Sequence, residues 1–255
     1  MKGLAIISDV HGNGVALEAV VADAARNEIA DIVCLGDLAA GGPQPREVLQ
    51  RLRELGCRAV RGNADGWLFT GLRPGSSSAT RRLAEVVRWA HDQLSQEDLE
   101  YLAALPTTLE TDLGAMRIFC FHGSPRSEVE GLLATTPESE LHAAFDSAPD
   151  AQVLAGGHTH VQLLRMFGDR LLLNPGSVGL PLGSVAAAVA GGVALPTRAE
   201  YAVLRAVDSR MEVSFFRVPI DVGAVAAATA AMPHASWAGD LERRIARWNL
   251  RTADA

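Results

Sequence analysis

An α/β fold with parallel strands is the class this sequence predicts, and three observations predict it. Short β-type runs alternate with amphipathic helical stretches through the first half of the chain. Acid, amide and imidazole side chains stand directly after those runs, where parallel sheets collect their ligand sites. The 255 residues contain no internal repeat and no long linker, so residues 1–255 are expected to form a single layered domain.

Taken in order, Leu4 to Ile7 reads as a strand, and Val15 to Ala25 as a helix with Leu17, Val20, Val21 and Ala24 on one face. Asp31 to Leu35 is a second strand, Pro45 to Leu55 a helix stopped by Gly56, and Arg58 to Val60 a third strand. Such alternation implies parallel strands buried by helices on their faces. Ala79 to Leu94 and Glu97 to Leu105 follow as a helical pair, with Ser95 and Asp98 spaced as a capping box. Met116 to Phe121 and Gln152 to Ala155 are apolar strands. Between them Thr136 and Pro137 start a helix through Phe145, with threonine as cap. Arg170 to Leu173, Tyr201 to Val207 and Met211 to Val218 are strands, and two helices close the chain. Gly179 to Pro196 is rich in small residues and reads either as a mobile loop or as a short helix.

Composition narrows the function classes. The net charge of -7 gives no basic surface for a polyanion, although metal cations would still let an acidic protein hold phosphate. Cys34, Cys57 and Cys120 are odd in number, form no C-x-x-C pair and lie in or beside apolar runs, so they read as buried thiols in a reducing compartment. The first residues are too short a run for a signal peptide, and no stretch is long enough for a membrane span. A cytoplasmic location is expected.

The chemistry collects at strand ends. Four of the seven histidines (His11, His122, His158 and His160) fall just past predicted strands, as do Asp9, Asp37 and Asn63. Each motif alone is weak, because a Gly-Asp is nearly meaningless and a Gly-Asn is more often a turn. Together they occupy one topological position, and independent accident becomes improbable. Imidazole with carboxylate suits Mn, Fe, Co, Ni or Zn better than Mg or Ca. Seven donors exceed the needs of one tetrahedral ion, whereas two ions sharing a carboxylate would use them all.

The succession Asp9-Val10-His11, Gly36-Asp37, Gly62-Asn63, His122-Gly123 and Gly156-Gly157-His158-Thr159-His160 resembles the calcineurin-like metallophosphoesterase superfamily. More narrowly it is similar to its bacterial and archaeal phosphodiesterases and diadenosine-tetraphosphatase-related proteins, as is Asn174-Pro175-Gly176-Ser177-Val178-Gly179. The resemblance implies a four-layer αββα sandwich, two mixed sheets between helical layers. It implies a first divalent metal on Asp9, His11, Asp37 and His160. A second would be bridged by Asp37 and held also by Asn63, His122 and His158, with manganese favoured. Asp37, Asn63 and His122 would stand at the reacting phosphate, and a hydroxide between the ions would attack phosphorus. The expected activity is hydrolysis of phosphodiester or nucleotide polyphosphate bonds. The alternatives are a phosphomonoesterase or protein phosphatase on the same metals, or a non-catalytic binding scaffold.

One departure bears on the substrate. Many members follow the Gly-Asn motif with a histidine that protonates the leaving oxygen, and here Ala64 stands in that place. General acid help is worth about 10²–10⁴-fold, so leaving groups that depart unprotonated should be favoured. The expected partner is a small phosphorylated molecule, such as a nucleotide. Arg126 is either a bidentate phosphate contact or an ordinary surface residue. Asn13 either orients a ligand or, the favoured reading, caps the helix beginning near Gly14. Asp65 either replaces the missing acid through water or, the favoured reading, is an exposed carboxylate. His91, His142 and His234 read as surface residues, and Trp67 and Phe69 either stack on a base or, the favoured reading, pack in the core or a lid.

Overall fold

A computed structural model describes residues 3–189, 193–207 and 210–253. The chain begins β1 (Gly3–Ile7), α1 (Gly14–Arg26), β2 (Asp31–Cys34), α2 (Pro45–Glu54) and β3 (Arg58–Ala59). Three helices follow, α3 (Asn63–Thr70), α4 (Ser78–Gln93) and α5 (Gln96–Ala104), then β4 (Thr108–Leu113), β5 (Met116–Phe121) and α6 (Glu138–Asp146). The rest is β6 (Val153–Ala155), β7 (Gln162–Phe167), β8 (Arg170–Pro175), β9 (Val185–Val189), β10 (Val193–Pro196), β11 (Arg198–Val207) and β12 (Arg210–Pro219). Helices α7 (Val222–Thr229) and α8 (Trp237–Ala253) end it.

Two five-stranded mixed sheets form the centre, in the orders β12-β11-β1-β2-β3 and β4-β5-β6-β8-β7. Strands β1, β2 and β3 run parallel, as do β5, β6 and β8, while β11, β12, β4 and β7 are joined antiparallel. The period-2 alternation of side chains builds the layers. Leu4 and Ile6 of β1 face inward, with Val33 and Leu35, onto Ile118, Cys120, Val153, Ala155, Leu171 and Leu173 of the second sheet. Ala5 and Ile7 face outward and pack beneath α1, α2, α4 and α8. Phe121, Leu154 and Leu172 face outward on the other side and pack with Leu141, Ala144 and Phe145 of α6. The architecture is the helix–sheet–sheet–helix sandwich expected.

Several expectations are corrected. Gly179 to Pro196 is neither a loop throughout nor a helix: β9 and β10 pair antiparallel as a two-stranded sheet, and residues 190–192 lie outside the described residues. α6 is capped at Pro137 without a side-chain hydrogen bond, and Thr136 Oγ1 accepts from Leu133 N instead. Helix α3 and strands β4 and β7 had not been expected. The Ser95–Asp98 capping box of α5 is present. Among the described residues no helix is long and apolar enough to cross a membrane.

Candidate metal centre

The parallel strands of both sheets deliver their donors to one place. Asp9 and His11 follow β1, Asp37 follows β2, Asn63 opens α3 just after β3, His122 follows β5, and His158 and His160 follow β6. All seven are buried, none more than 8 % exposed. Asp9, His11, Asp37, His158 and His160 have φ between 49° and 66°. Left-handed backbone at non-glycine residues is costly and concentrates where geometry serves function. Turning the backbone this way lets side chains from consecutive strands converge.

Surrounding loops hold the donors in place. Ser177 Oγ and Gly179 N both donate to Asp9 O (2.7 and 3.0 Å), so the Asn174–Gly179 segment buttresses the first ligand. Asn174 Nδ2 donates to Gly157 O and Thr159 Oγ1, fixing the loop that carries His158 and His160. Asn13 caps α1 through Ala16 N, as expected, and also donates to Gly179 O. Close approach requires glycine at two positions. A Cβ at Gly62 would lie 2.1 Å from Asp37 Oδ1, and one at Gly157 1.9 Å from Ser8 Oγ.

Three rings are tethered alike. His11 Nδ1 pairs with Ala40 O (2.8 Å), His122 Nδ1 with Leu35 O (2.7 Å), and His160 Nδ1 with Leu180 O. A carbonyl only accepts, so each Nδ1 carries a proton and each Nε2 is left to face the centre. There His11 Nε2 lies 3.1 Å from His160 Nε2, and His160 Nε2 lies 3.2 Å from Asp9 Oδ1. His122 Nε2 is 3.4 Å from Asp37 Oδ2 and 3.1 Å from Asn63 Oδ1. The Asn63 amide atom at that position is also 2.8 Å from His158 Nδ1. Asp9 Oδ1 is buried without a hydrogen-bond partner. Ring nitrogens and carboxylate oxygens crowded together in a buried space fit a cation. Asp9 with His11 and His160, and Asp9 with Asp37 and His122, are two groups that could each hold a metal ion.

Electrostatics agree. Burial alone would raise Asp9 and Asp37, but His160 holds Asp9, and His122 holds Asp37, below the usual carboxylate range. Burial opposes charge on His122, yet Asp37 and then Asp9 lift it to about 10, while burial and the His122 charge push His158 down to about 3.

Other expected residues fall differently. Arg126 is exposed and ion-pairs with Glu130, so a substrate phosphate would have to compete with that carboxylate. Asp65 is buried, which corrects the expectation of an exposed carboxylate. Its oxygens accept from Asp37 N, Leu38 N, Ala39 N and Gly62 N, tying the β2 and β3 loops together. The signal was its place three residues past Gly62, as in a capping box. Ala64 is fully buried in the core, and its N–H donates to Asp37 Oδ1 at 2.7 Å. His142 is exposed, and His91 and His234 bond to Leu68 O and Glu85 away from the centre. Trp67 lines the metal cavity, whereas Phe69 is 41 % exposed. Sequence reasoning missed α8 altogether as part of the site: Leu241, Arg244, Ile245 and Trp248 lie over the donors.

Comparison with known proteins is consistent with this geometry. Residues 1–193 match the model of the calcineurin-like phosphoesterase superfamily domain. An uncharacterized protein of Methanocaldococcus jannaschii is 26% identical over 238 residues, 86% of this chain and 88% of that protein. A metallophosphoesterase from Sphaerobacter thermophilus, of known structure, is 30% identical with a TM-score of 0.70, over 97% of this chain and 99% of that chain. A hypothetical protein from Pyrococcus horikoshii, 21% identical with a TM-score of 0.70 over 100% of this chain and 97% of that chain, shares the fold.

Proposed function

Since the chain belongs to the calcineurin-like phosphoesterase superfamily, metal-dependent hydrolases of phosphoester bonds, we propose that it cleaves phosphodiester or nucleotide polyphosphate bonds at a pair of divalent transition-metal ions. Asp9, His11, Asp37 and His160 hold one ion in this reading. Asp37, Asn63, His122 and His158 hold the other, and manganese is the favoured metal. The observation that carries it is the convergence of three Nε2 atoms, whose Nδ1 atoms are committed to carbonyls, on the unpartnered Asp9 Oδ1. When bound, such ions supply positive charge to a phosphate and acidity to water.

The chain's own residues set the rest. Asp37 would bridge the two ligand sets of this reading, its Oδ2 being 3.4 Å from His122 Nε2 and 3.7 Å from His11 Nε2, while Ala64 N fixes its other oxygen. Asn63 places its side-chain amide beside His122 and His158, where its oxygen would reach an ion and its Nδ2 would donate to a substrate oxygen. No imidazole follows Asn63, which supports substrates whose leaving oxygen needs no proton. Helix α8 across the donors supports a small molecule over a folded protein as substrate, against the protein phosphatase reading. Three buried free thiols support a reducing, cytoplasmic setting.

A substrate panel on metal-reconstituted protein tests this: bis-aryl phosphate, aryl monophosphate, cyclic nucleotides and dinucleoside polyphosphates, with metal analysis alongside. Diesters or polyphosphates should be turned over best, with two ions bound per chain. A preference for monoesters, or one ion at saturating metal, would reject it.

A further inference from the structure

Helix α8 lies outside the stretch of chain that matches the family model, yet it closes the metal centre. Leu241, Arg244, Ile245 and Trp248 leave a cavity of about 10 Å³ over the donors. That is water-sized and too small for a phosphoryl group. Behind Arg244 and Trp248 opens a second cavity of about 320 Å³, which these two residues also line. They form the wall between the two spaces.

The second cavity has the character of an anion site. Its lining includes Arg243, Arg244 and Arg247, with Ser77 and Thr80 at the N-terminus of α4, where the helix carries partial positive charge. Asp240 also lines it but is already engaged by Arg82, Ser236 and Arg243. Arg244 differs from its neighbour. Its guanidinium lies 5.1 Å from the Trp67 ring centroid and 5.3 Å from that of Trp248. No carboxylate pairs with it among the described residues, and its Nε is buried with no hydrogen-bond partner. Natural proteins seldom leave such a donor unsatisfied. Burial pushes its pKa down, a penalty that an approaching anion would relieve.

We infer that this second cavity is a subsite for an anionic group beyond the scissile phosphate, namely a further phosphate of a polyphosphate chain, with Arg244 as its principal contact and Arg247 at the rim. The inference rests on the reading under Proposed function and narrows it to substrates with two or more phosphates. The Arg244 guanidinium offers the planar fork that binds phosphate bidentately, and its place in the wall puts it between the reacting phosphate and the next one. Rotation of the Arg244 and Trp248 side chains joins the two spaces, a rotamer change of the kind ligands commonly induce.

Binding and turnover test it separately. Metal-free protein titrated calorimetrically with inorganic pyrophosphate should bind it. Arg244→Gln should weaken that binding about tenfold or more, as loss of a charged hydrogen bond does, and Arg244→Lys less. Arg46→Gln, on the exposed face of α2, is the control, and thermal melts establish that the variants fold. With metal-loaded protein, Arg244→Gln should reduce kcat/KM for a dinucleoside polyphosphate about tenfold more than for a bis-aryl phosphate. Absence of pyrophosphate binding, equal affinity in Arg244→Gln, or equal kinetic losses on both substrates would overturn the subsite. If metal-loaded protein cleaves no phosphoester, the proposed function falls, and calorimetry still decides the subsite.

Discussion

His11 and His160, 149 residues apart in the chain, present Nε2 atoms to each other at 3.1 Å because their Nδ1 atoms are tethered to Ala40 O and Leu180 O. Two such nitrogens attract each other only through something positive between them. Saturating Mn²⁺ at about 100 Kd should stabilise the fold by about 2.7 kcal/mol, or about 5–10 °C in Tm. His160→Ala should lose most of that rise. Equal thermal shifts in the two proteins would argue that the metal binds elsewhere.

Metal binding should release protons. Asp37 and Asp9 outweigh burial and raise His122 to about 10, so at pH 7 its ring is charged in the metal-free protein. A raised folded pKa gives stability that is complete below the unfolded value, about 6.5, and lost as pH rises through about 10. An ion taking Nε2 must displace that proton, so apparent metal affinity should climb from pH 6 to pH 9. Calorimetry in buffers of different ionisation enthalpy counts the protons. A flat affinity profile would contradict the assignment of His122.

Leaving-group dependence should be steep. Ala64 is buried and carries no titratable group, so the position supplies no acid. Turnover of alkyl diesters should fall about 10² or more below that of nitrophenyl diesters. Comparable rates for the two would mean that another residue protonates the leaving oxygen.

Asp240 anchors α8 to α4. Burial raises its pKa, but hydrogen bonds from Arg82, Ser236 and Arg243 more than reverse that and leave it depressed. Asp240→Asn should cost about 2 kcal/mol at pH 7, the scale of hydrogen bonds to a charged group. A depressed folded pKa gives stability present above the unfolded value, about 3.9, and lost as pH falls through the folded one. The difference between the two proteins in urea denaturation should therefore shrink below about pH 4.

The thiols should be silent in the native protein. Burial pushes Cys57 and Cys120 up to about 12 and Cys34 well above its usual range. A thiol reagent at pH 8 should modify none of them until denaturant is added, and then all three. Rapid native labelling would show that the core opens locally.

The seven donors were legible because carboxylate, amide and imidazole are conspicuous after apolar runs, and those runs carried their period clearly. Strand β4 was not. Its buried Thr111 and Leu113 alternate with exposed Glu110 and Asp112, an edge-strand pattern too polar to stand out. β7, at the other edge, exposes Leu164 and Met166, so its apolar residues misreport burial. Asp65 was misjudged because helix α3 itself was not expected, and only with a helix start at Gly62 does an acid three residues on read as part of a capping box. Helix α8 was legible as a helix, with Leu241, Ile245 and Trp248 spaced along one face. What that face covers depends on tertiary packing, and local pattern is blind to it.

Every proposed donor lies between Asp9 and His160, and the helix that roofs them begins at Trp237. A ribosome makes the chain from its N-terminus. The whole coordination set has therefore left the tunnel before its cover exists, and during that interval the pocket is open to whatever ions the surroundings offer. Synthesis order thus presents the donors to their surroundings before the helix that covers them is made.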